Sequence, residues 1–379
     1  MGSSNGGNGE LKSRRNKQPN PRKPINVLRR LVTGDPSLAV IGLSKNAGKT
    51  TVFNALGMEA SHQGISTAMV SIGVDGEERD VWSGREKPPV RVYRGFLVAT
   101  ASPLFEERPG DWEIQGVTPF TSALGPIAIA RAMRDTRVKL AGVTTVGRVQ
   151  ELEVLFRQHG AKLILVDGAY DRRAAASPLV TRAAVCVVGA SLGTSLDEVI
   201  EKARGAIRLL TLPTTTDPSM IQAVEKACAE GKVVGVGKDT ITVFPNRSLL
   251  VGWEELRERL ACDEWRGLAL PGALTDTALE RLISLRKPLS IGLVEPTRCF
   301  ASWSGMRRMA RLGGEITCLH ALVLRAIAMN PVSPEGWSFD PAEMKEKIEQ
   351  VCQGIPVVDV LRHDRTLPDQ NGQEHQERR

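Results

Sequence analysis

The segment LAVIGLSKNAGKTTVFNAL, residues 38–56, constrains the fold more than any other part of the chain. Its apolar start predicts a buried strand over residues 38–41, and its end predicts a helix over residues 50–59. Between them lies a turn bounded by Gly42 and Gly48. A turn of this kind directs backbone N–H groups and about half a positive charge from the helix N-terminus toward an anion. The segment therefore predicts a phosphate-binding loop.

The residue types in the loop suit a nucleoside triphosphate with magnesium. Lys49 supplies a positive charge for the terminal phosphates, and the Thr50 hydroxyl is a hard oxygen ligand for Mg²⁺. Small residues before the lysine let the backbone approach the phosphates. We predict that the nucleotide is bound by Asn46, Ala47, Gly48, Lys49, Thr50 and Thr51.

Carboxylates follow two predicted strands and complete the predicted site. The apolar run LILVDG ends at Asp167, which we predict to hold Mg²⁺ directly or through water. Asp75, in GVDGE, is predicted to respond to the γ-phosphate, with simple turn formation as the alternative. The predicted catalytic set is Lys49, Asp75 and Asp167. Asp171 either orients the attacking water or pairs with a neighbouring arginine.

Two further segments follow predicted strands without a clear role. Asn330-Pro331 and the segment Glu295-Pro296-Thr297-Arg298 each either line a ligand pocket or simply end their strands.

Short apolar runs alternate with helical segments from residue 37 onward. Strands predicted at 66–72, 161–166 and 183–188, with helices between them, indicate an α/β fold with a doubly wound, mostly parallel sheet. A helix is also predicted at 126–134. The Pro/Thr-rich stretch 211–218 predicts a domain boundary. We expect a basic disordered tail (1–36), a nucleotide-binding domain (37–210), a smaller α/β domain facing a partner or substrate (211–361) and a second disordered tail (362–379).

Composition and charge exclude several classes of function. No apolar run approaches the ~20 residues of a membrane span, and no secretory signal is recognisable. The six cysteines are scattered, so we expect reduced thiols and a cytoplasmic protein. The net charge is +7, but residues 1–36 contain eight of the 50 lysines and arginines and only two acidic residues. Nucleic-acid binding is therefore not expected outside this tail.

The loop, with five residues between Gly42 and Gly48, resembles the phosphate loops of dethiobiotin synthetase and the cobyric-acid synthase group. These proteins belong to the SIMIBI class of P-loop NTPases. The additional lysine of that class's deviant loops falls at Ser44 here. No Asn-Lys-x-Asp element for guanine is present, so the resemblance implies ATP rather than GTP.

A longer set of motifs resembles the reactivase subunit of lysine 5,6-aminomutase. These motifs are GLSKNAGKTT, IGVDGE, LILVDGAYDRRAAAS, NPVSPEGWSFDP and IPVVDV. The resemblance implies a Mg²⁺-dependent ATPase that acts as a chaperone for an adenosylcobalamin enzyme. The expected protein partner is that client enzyme or a second reactivase subunit.

Two other functions remain open. One is an ATP-dependent ligase or kinase for a small carboxylate, whose pocket would use Thr121-Ser122 or Thr144-Thr145. The other is a nucleotide-binding scaffold without turnover.

Overall fold

The protein is a mixed α/β protein with one large and one smaller sheet. A computed structural model describes residues 27–72, 89–168, 177–178, 180–261, 264–352 and 354–363. Within them the strands are β1 (Ser37–Gly42), β2 (Thr67–Ile72), β3 (Val90–Val92), β4 (Leu97–Ala101), β5 (Trp112–Ser122), β6 (Gly125–Ala132), β7 (Thr136–Val138), β8 (Leu163–Gly168), β9 (Ala183–Gly189), β10 (Val234–Gly237), β11 (Ile241–Val243), β12 (Trp265–Ala269), β13 (Leu274–Thr275), β14 (Ser290–Leu293), β15 (Cys299–Phe300), β16 (Glu315–Cys318), β17 (Leu324–Asn330) and β18 (Val357–Val358).

The helices connect these strands. In the described residues they are α1 (Val27–Gly34), α2 (Lys49–His62), α3 (Pro103–Glu106), α4 (Val146–Gln158), α5 (Leu196–Leu210), α6 (Pro218–Glu230), α7 (Trp253–Ala261), α8 (Asp276–Ser284), α9 (Trp303–Arg311), α10 (Pro341–Val351) and α11 (Val360–His363). None of them is both long and apolar enough to cross a bilayer.

The large sheet has nine strands in the order β18-β17-β9-β1-β8-β2-β4-β6-β5. The strands from β18 to β4 run parallel, and the β5–β6 hairpin adds two antiparallel strands at one end. The smaller sheet has the order β11-β10-β12-β14-β16 and is also mixed. Two short ribbons, β3–β7 and β13–β15, accompany the sheets.

The large sheet is covered on both faces. On β1, Leu38 and Val40 belong to one core, while Ala39 and Ile41 belong to another, as expected for a strand whose side chains alternate between two buried faces. Residues of α1 and α2 pack into the first core, and residues of α4, α5 and α10 pack into the second. The predicted strands at 38–41 and 183–188 are confirmed as the buried centre of this sheet.

The described part of the basic segment is helical. The sequence predicts a disordered tail over residues 1–36, but α1 occupies Val27–Gly34 and buries Leu28, Leu31 and Val32. The spacing of these three residues places them on one helix face, which contacts α2. The prediction is wrong here because this short apolar stripe is hidden within a charged composition. Residues 1–26 and 364–379 lie outside the described residues.

The two sheets divide the chain differently from the prediction. The sequence places residues 211–361 in one second domain, but β17 pairs with β9 and β18 pairs with β17. The chain therefore forms the smaller sheet between β10 and β16 and then returns to the large one. A second difference concerns residues 126–134, where the predicted helix is instead β6, paired on both sides. The pairing of β17 with β9 joins residues distant in sequence, so local patterns did not reveal it. The strand β6 instead follows β5 in a tight hairpin, and its pairing with β5 and β4 overrides the helical pattern of its own residues.

Candidate functional site

The predicted phosphate loop connects β1 to α2. Asn46 has a backbone φ of 59° and Gly48 has a φ of 104°, so the chain is in the left-handed region at both positions. This is uncommon for a non-glycine residue such as Asn46. The helix α2 begins at Lys49, no side chain caps it, and its first turn has no acidic residue. The partial positive charge at the N-terminus of α2 therefore has neither a capping side chain nor an acidic residue of the first turn beside it.

The Lys49 side chain folds back over the end of β1. A Cβ atom added to Gly42 would lie 3.0 Å from the Lys49 Cγ and 3.3 Å from its Nζ. Glycine at position 42 therefore provides the space in which the lysine chain lies. The ammonium group therefore lies beside Gly42, where the loop begins, and Lys49 is half-buried.

The end of β9 supports the loop from the adjacent strand. A Cβ atom on Gly189 would lie only 2.6 Å from the Ala47 Cα, so the two backbones are in close contact. The Ser44 and Ser191 hydroxyls are 2.8 Å apart, and Ser191 Oγ donates to the Lys45 carbonyl at 2.9 Å. These contacts fix the first half of the loop. Ser44, where deviant loops carry their additional lysine, is buried and engaged in this network.

A third element, the segment after β17, completes the support. The Asn330 side chain lies against Gly48, since a Cβ there would be 3.2 Å from Asn330 Nδ2. The indole Nε1 of Trp337 donates to the carbonyls of Ala190 and Gly193, both at 3.1 Å. Asn330 therefore does more than end a strand, because its side chain lies against Gly48 in the loop between β1 and α2.

Asp167 lies at the carboxyl end of β8, beside β1. Its register partners are Val40 on β1 and Ser71 on β2, and the residue is 7% exposed. Because β1 and β8 are parallel, Asp167 lies at the edge of the sheet at which the phosphate loop begins. Thr50 is in the first turn of α2 and is partly exposed. A carboxylate and a hydroxyl are the hard oxygen donors that Mg²⁺ prefers. Asp75 and Asp171 lie outside the described residues.

The threonines considered for a substrate pocket lie at different places. Thr144 follows Val143, which bridges to Ile72 at the end of β2, and its hydroxyl accepts a hydrogen bond from Arg148 at 3.4 Å. Ser122 lies in the hairpin between β5 and β6, where its hydroxyl donates to the Gly125 carbonyl. Thr144 is thus near the edge of the sheet that carries Asp167, whereas Thr121 and Ser122 are on the outermost strand.

Glu295 links the two sheets. Its carboxylate is 4% exposed and accepts hydrogen bonds from Ser177, which precedes β9, and from Thr297 at 2.8 Å. Burial and, to a smaller extent, the Glu295 charge raise the pKa of the nearby Cys318 thiol to about 12. Only nine residues separate Asp167 from Ser177 in the sequence. The candidate magnesium ligand is therefore followed closely by a residue that is hydrogen-bonded to Glu295 of the smaller-sheet unit.

The structure brings residues 46–51 and Asp167 to one edge of the large sheet, as the sequence predicts. It adds Gly189, Ser191 and Trp337, which sequence reasoning missed. Only the run GASLG at residues 189–193 could have indicated a close approach of two backbones. Comparison of the chain with models of known protein families, with characterised proteins and with solved structures finds no match.

Proposed function

We propose that the protein binds and hydrolyses ATP with Mg²⁺ at the phosphate loop and uses the nucleotide to act on a protein partner, as a reactivase or chaperone subunit does. We also assign the large sheet to the doubly wound P-loop class. The single observation that carries the proposal is the loop itself. Left-handed residues at 46 and 48, an uncapped α2 and the folded-back Lys49 form a cradle for a polyphosphate.

The residues present fit magnesium as the accompanying ion. Thr50 and Asp167 would hold it, Thr50 through its hydroxyl and Asp167 directly or through water. When bound, the ion neutralises phosphate charge during phosphoryl transfer. Lys49 binds and orients the terminal phosphates, and the backbone N–H groups of residues 46–51 hold the polyphosphate in place. We keep Asp75 as the proposed γ-phosphate sensor.

The hydrogen bond between Ser177 and Glu295 supports a role in moving a partner. A nucleotide shifts a conformational equilibrium only by its different affinities for the two states, and a difference of about 1.4 kcal/mol shifts it tenfold. The short connection from Asp167 to Ser177 offers a route by which such a difference reaches the smaller sheet. We therefore propose the smaller sheet as the partner-facing unit.

The test compares ATP turnover in the wild type, Asp167→Asn and the control Asp239→Asn, which removes an exposed charge from the β10–β11 hairpin. Loss of a group that only supports the ligands of a metal costs about 10–100-fold in activity, so loss of Asp167 itself should cost at least about tenfold. We expect that loss only for Asp167→Asn, with an unchanged circular dichroism spectrum. Unchanged turnover in Asp167→Asn would place the metal elsewhere.

Assays with small carboxylates separate the reactivase from the ligase or kinase. ATP turnover that requires a carboxylate and releases its acyl or phosphoryl product would replace our proposal by that alternative. Turnover that rises only with a protein partner supports the reactivase. Tight binding of ATP without turnover, with or without a carboxylate or a protein partner, would instead support a nucleotide-binding scaffold.

A further inference from the structure

A cleft beside the β3–β7 ribbon contains three arginines. We call it the arginine cleft. Its volume is about 500 Å³, and its walls include Arg91, Arg108 and Arg137 together with Tyr93 and Asp135. The predicted phosphate loop is elsewhere. A Cβ atom added to Gly57 of α2 would lie 3.8 Å from the Tyr93 ring, and Gly57 is eight residues beyond Lys49, a rise of about 12 Å along the helix.

Two of the arginines are placed directly opposite each other. The antiparallel register pairs Arg91 with Arg137, and the alternation of burial along both strands leaves both side chains on the exposed face of the ribbon. Like charges at opposed positions destabilise a pair of strands. In the part of the chain that the structure describes, no carboxylate is within ion-pair distance of Arg91, Arg108 or Arg137.

The neighbouring acids are engaged with other groups. Asp135, the acidic residue that lines the cleft, accepts a hydrogen bond from the backbone N–H of Arg94 at 2.9 Å. Asp111 accepts one from Thr136 and pairs with Arg134 at 3.0 Å. Asp135 offsets only one of the three arginine charges, so the residues that line the cleft carry an excess of positive charge.

The ribbon backbone that carries Arg91 and Arg137 is anchored to the rest of the protein. The N–H of Arg91 donates to Asn54 Oδ1 on α2 at 2.8 Å, and Val90, Val92 and Val138 are buried under the ribbon. Because the ribbon backbone under Arg91 and Arg137 is already ordered, a ligand bound there would cost entropy mainly in the side chains that it orders.

From these observations we propose that the arginine cleft binds a small phosphate-bearing molecule at a site separate from the phosphate loop. The planar guanidinium group binds phosphate oxygens through two parallel hydrogen bonds, and three such groups suit a ligand with several negative charges. The volume is within the range of small-molecule sites. This site does not depend on the function proposed for the loop.

The test uses the full chain carrying Lys49→Ala, so that the phosphate loop contributes little. Inorganic pyrophosphate and glucose 6-phosphate are titrated into this protein and into versions that add Arg91→Gln, Arg137→Gln or the control Arg94→Gln. Arg94 is an exposed neighbour outside the cleft. We expect at least tenfold weaker binding with Arg91→Gln or Arg137→Gln and less than a threefold change with Arg94→Gln. Binding of only one of the two probes tells whether the ligand is inorganic or organic.

Thermal unfolding supplies an independent readout. Pyrophosphate should raise the melting temperature of the Lys49→Ala protein, and Arg137→Gln should raise it without ligand by removing the like-charge pair. Equal binding by all four proteins, no binding by the Lys49→Ala protein, or a lower melting temperature in Arg137→Gln would each overturn the proposal. Tighter binding of a single-stranded oligonucleotide with the same arginine dependence would also overturn it, in favour of a nucleic-acid site.

Discussion

Replacing Gly189 by alanine should damage nucleotide binding without removing any group that contacts the nucleotide. The new Cβ would lie 2.6 Å from the Ala47 Cα and 2.9 Å from its carbonyl oxygen. Since the van der Waals contact distance between two carbon atoms is about 3.5 Å, β9 and the loop must separate by nearly 1 Å. The backbone at Gly189 is extended, with φ −103° and ψ 151°, so alanine is not strained there. The free-energy cost of the substitution therefore comes entirely from the steric contact between the new Cβ and Ala47.

This contact gives an estimate of the effect. Overpacking of this kind costs about 1–3 kcal/mol of unfolding free energy. Displacement of a binding loop by about 1 Å is enough to weaken binding tenfold or more, which corresponds to about 1.4 kcal/mol. We therefore expect Gly189→Ala to lower the affinity for Mg-ATP at least tenfold in a calorimetric titration, while the folded state persists.

Gly193→Ala is the matched control in the same segment. Its Cβ would meet the Glu198 carboxylate at 2.8 Å, but that side chain is flexible and about two-fifths exposed. The backbone of Gly193 is extended and accepts alanine. We expect little change in Mg-ATP affinity with this variant. Equal affinities in Gly189→Ala and the wild type, or equal losses in both variants, would refute the proposed close support of the loop by β9.

The remaining predictions concern the fold and its thiols. Leu31→Ala, in the buried face of α1, should lower the unfolding free energy by about 2–4 kcal/mol in urea denaturation; a change below 0.5 kcal/mol would mean that α1 does not pack on α2. Burial raises the pKa of Cys318 to about 12 and that of Cys352 to about 11, so neither thiol should react with iodoacetamide at pH 8 until the protein unfolds. Because both values are raised, the stability these thiols contribute is present below pH 9 and is lost as the pH rises through 11 and 12. Native labelling of either thiol at pH 8 would contradict this.

Much of the large sheet could be predicted because its strands are buried on both faces. Runs such as residues 163–166 and 183–188 are continuously apolar, and this is the signal of a central parallel strand. The strand, turn and helix of residues 38–56 were predictable for a local reason: the apolar run, the two glycines and the helix-forming residues lie together in sequence. Asp167 could be assigned to the same edge because both strands run in the same direction.

The rest depends on contacts between residues distant in sequence. Nothing local indicates that β17 pairs with β9, and this pairing is what brings Asn330 against Gly48. The role of Gly189 is equally hidden, because it consists of a backbone approach rather than a side chain. The helix α1 was missed for a different reason, since three apolar residues among many charges do not alter the composition of the segment.

A calorimetric titration of Mg-ATP into the wild type, Lys49→Ala and the control Lys226→Ala tests the central claim most directly. Lys226 is exposed on α6, in the unit of the smaller sheet, so its loss changes the net charge equally. A charge-assisted contact is worth about 1.5–3 kcal/mol. We predict that Lys49→Ala binds Mg-ATP at least tenfold more weakly than the wild type, whereas Lys226→Ala binds as the wild type does. Equal affinity in all three proteins, or no binding by the wild type, would contradict a phosphate-binding loop at residues 42–51.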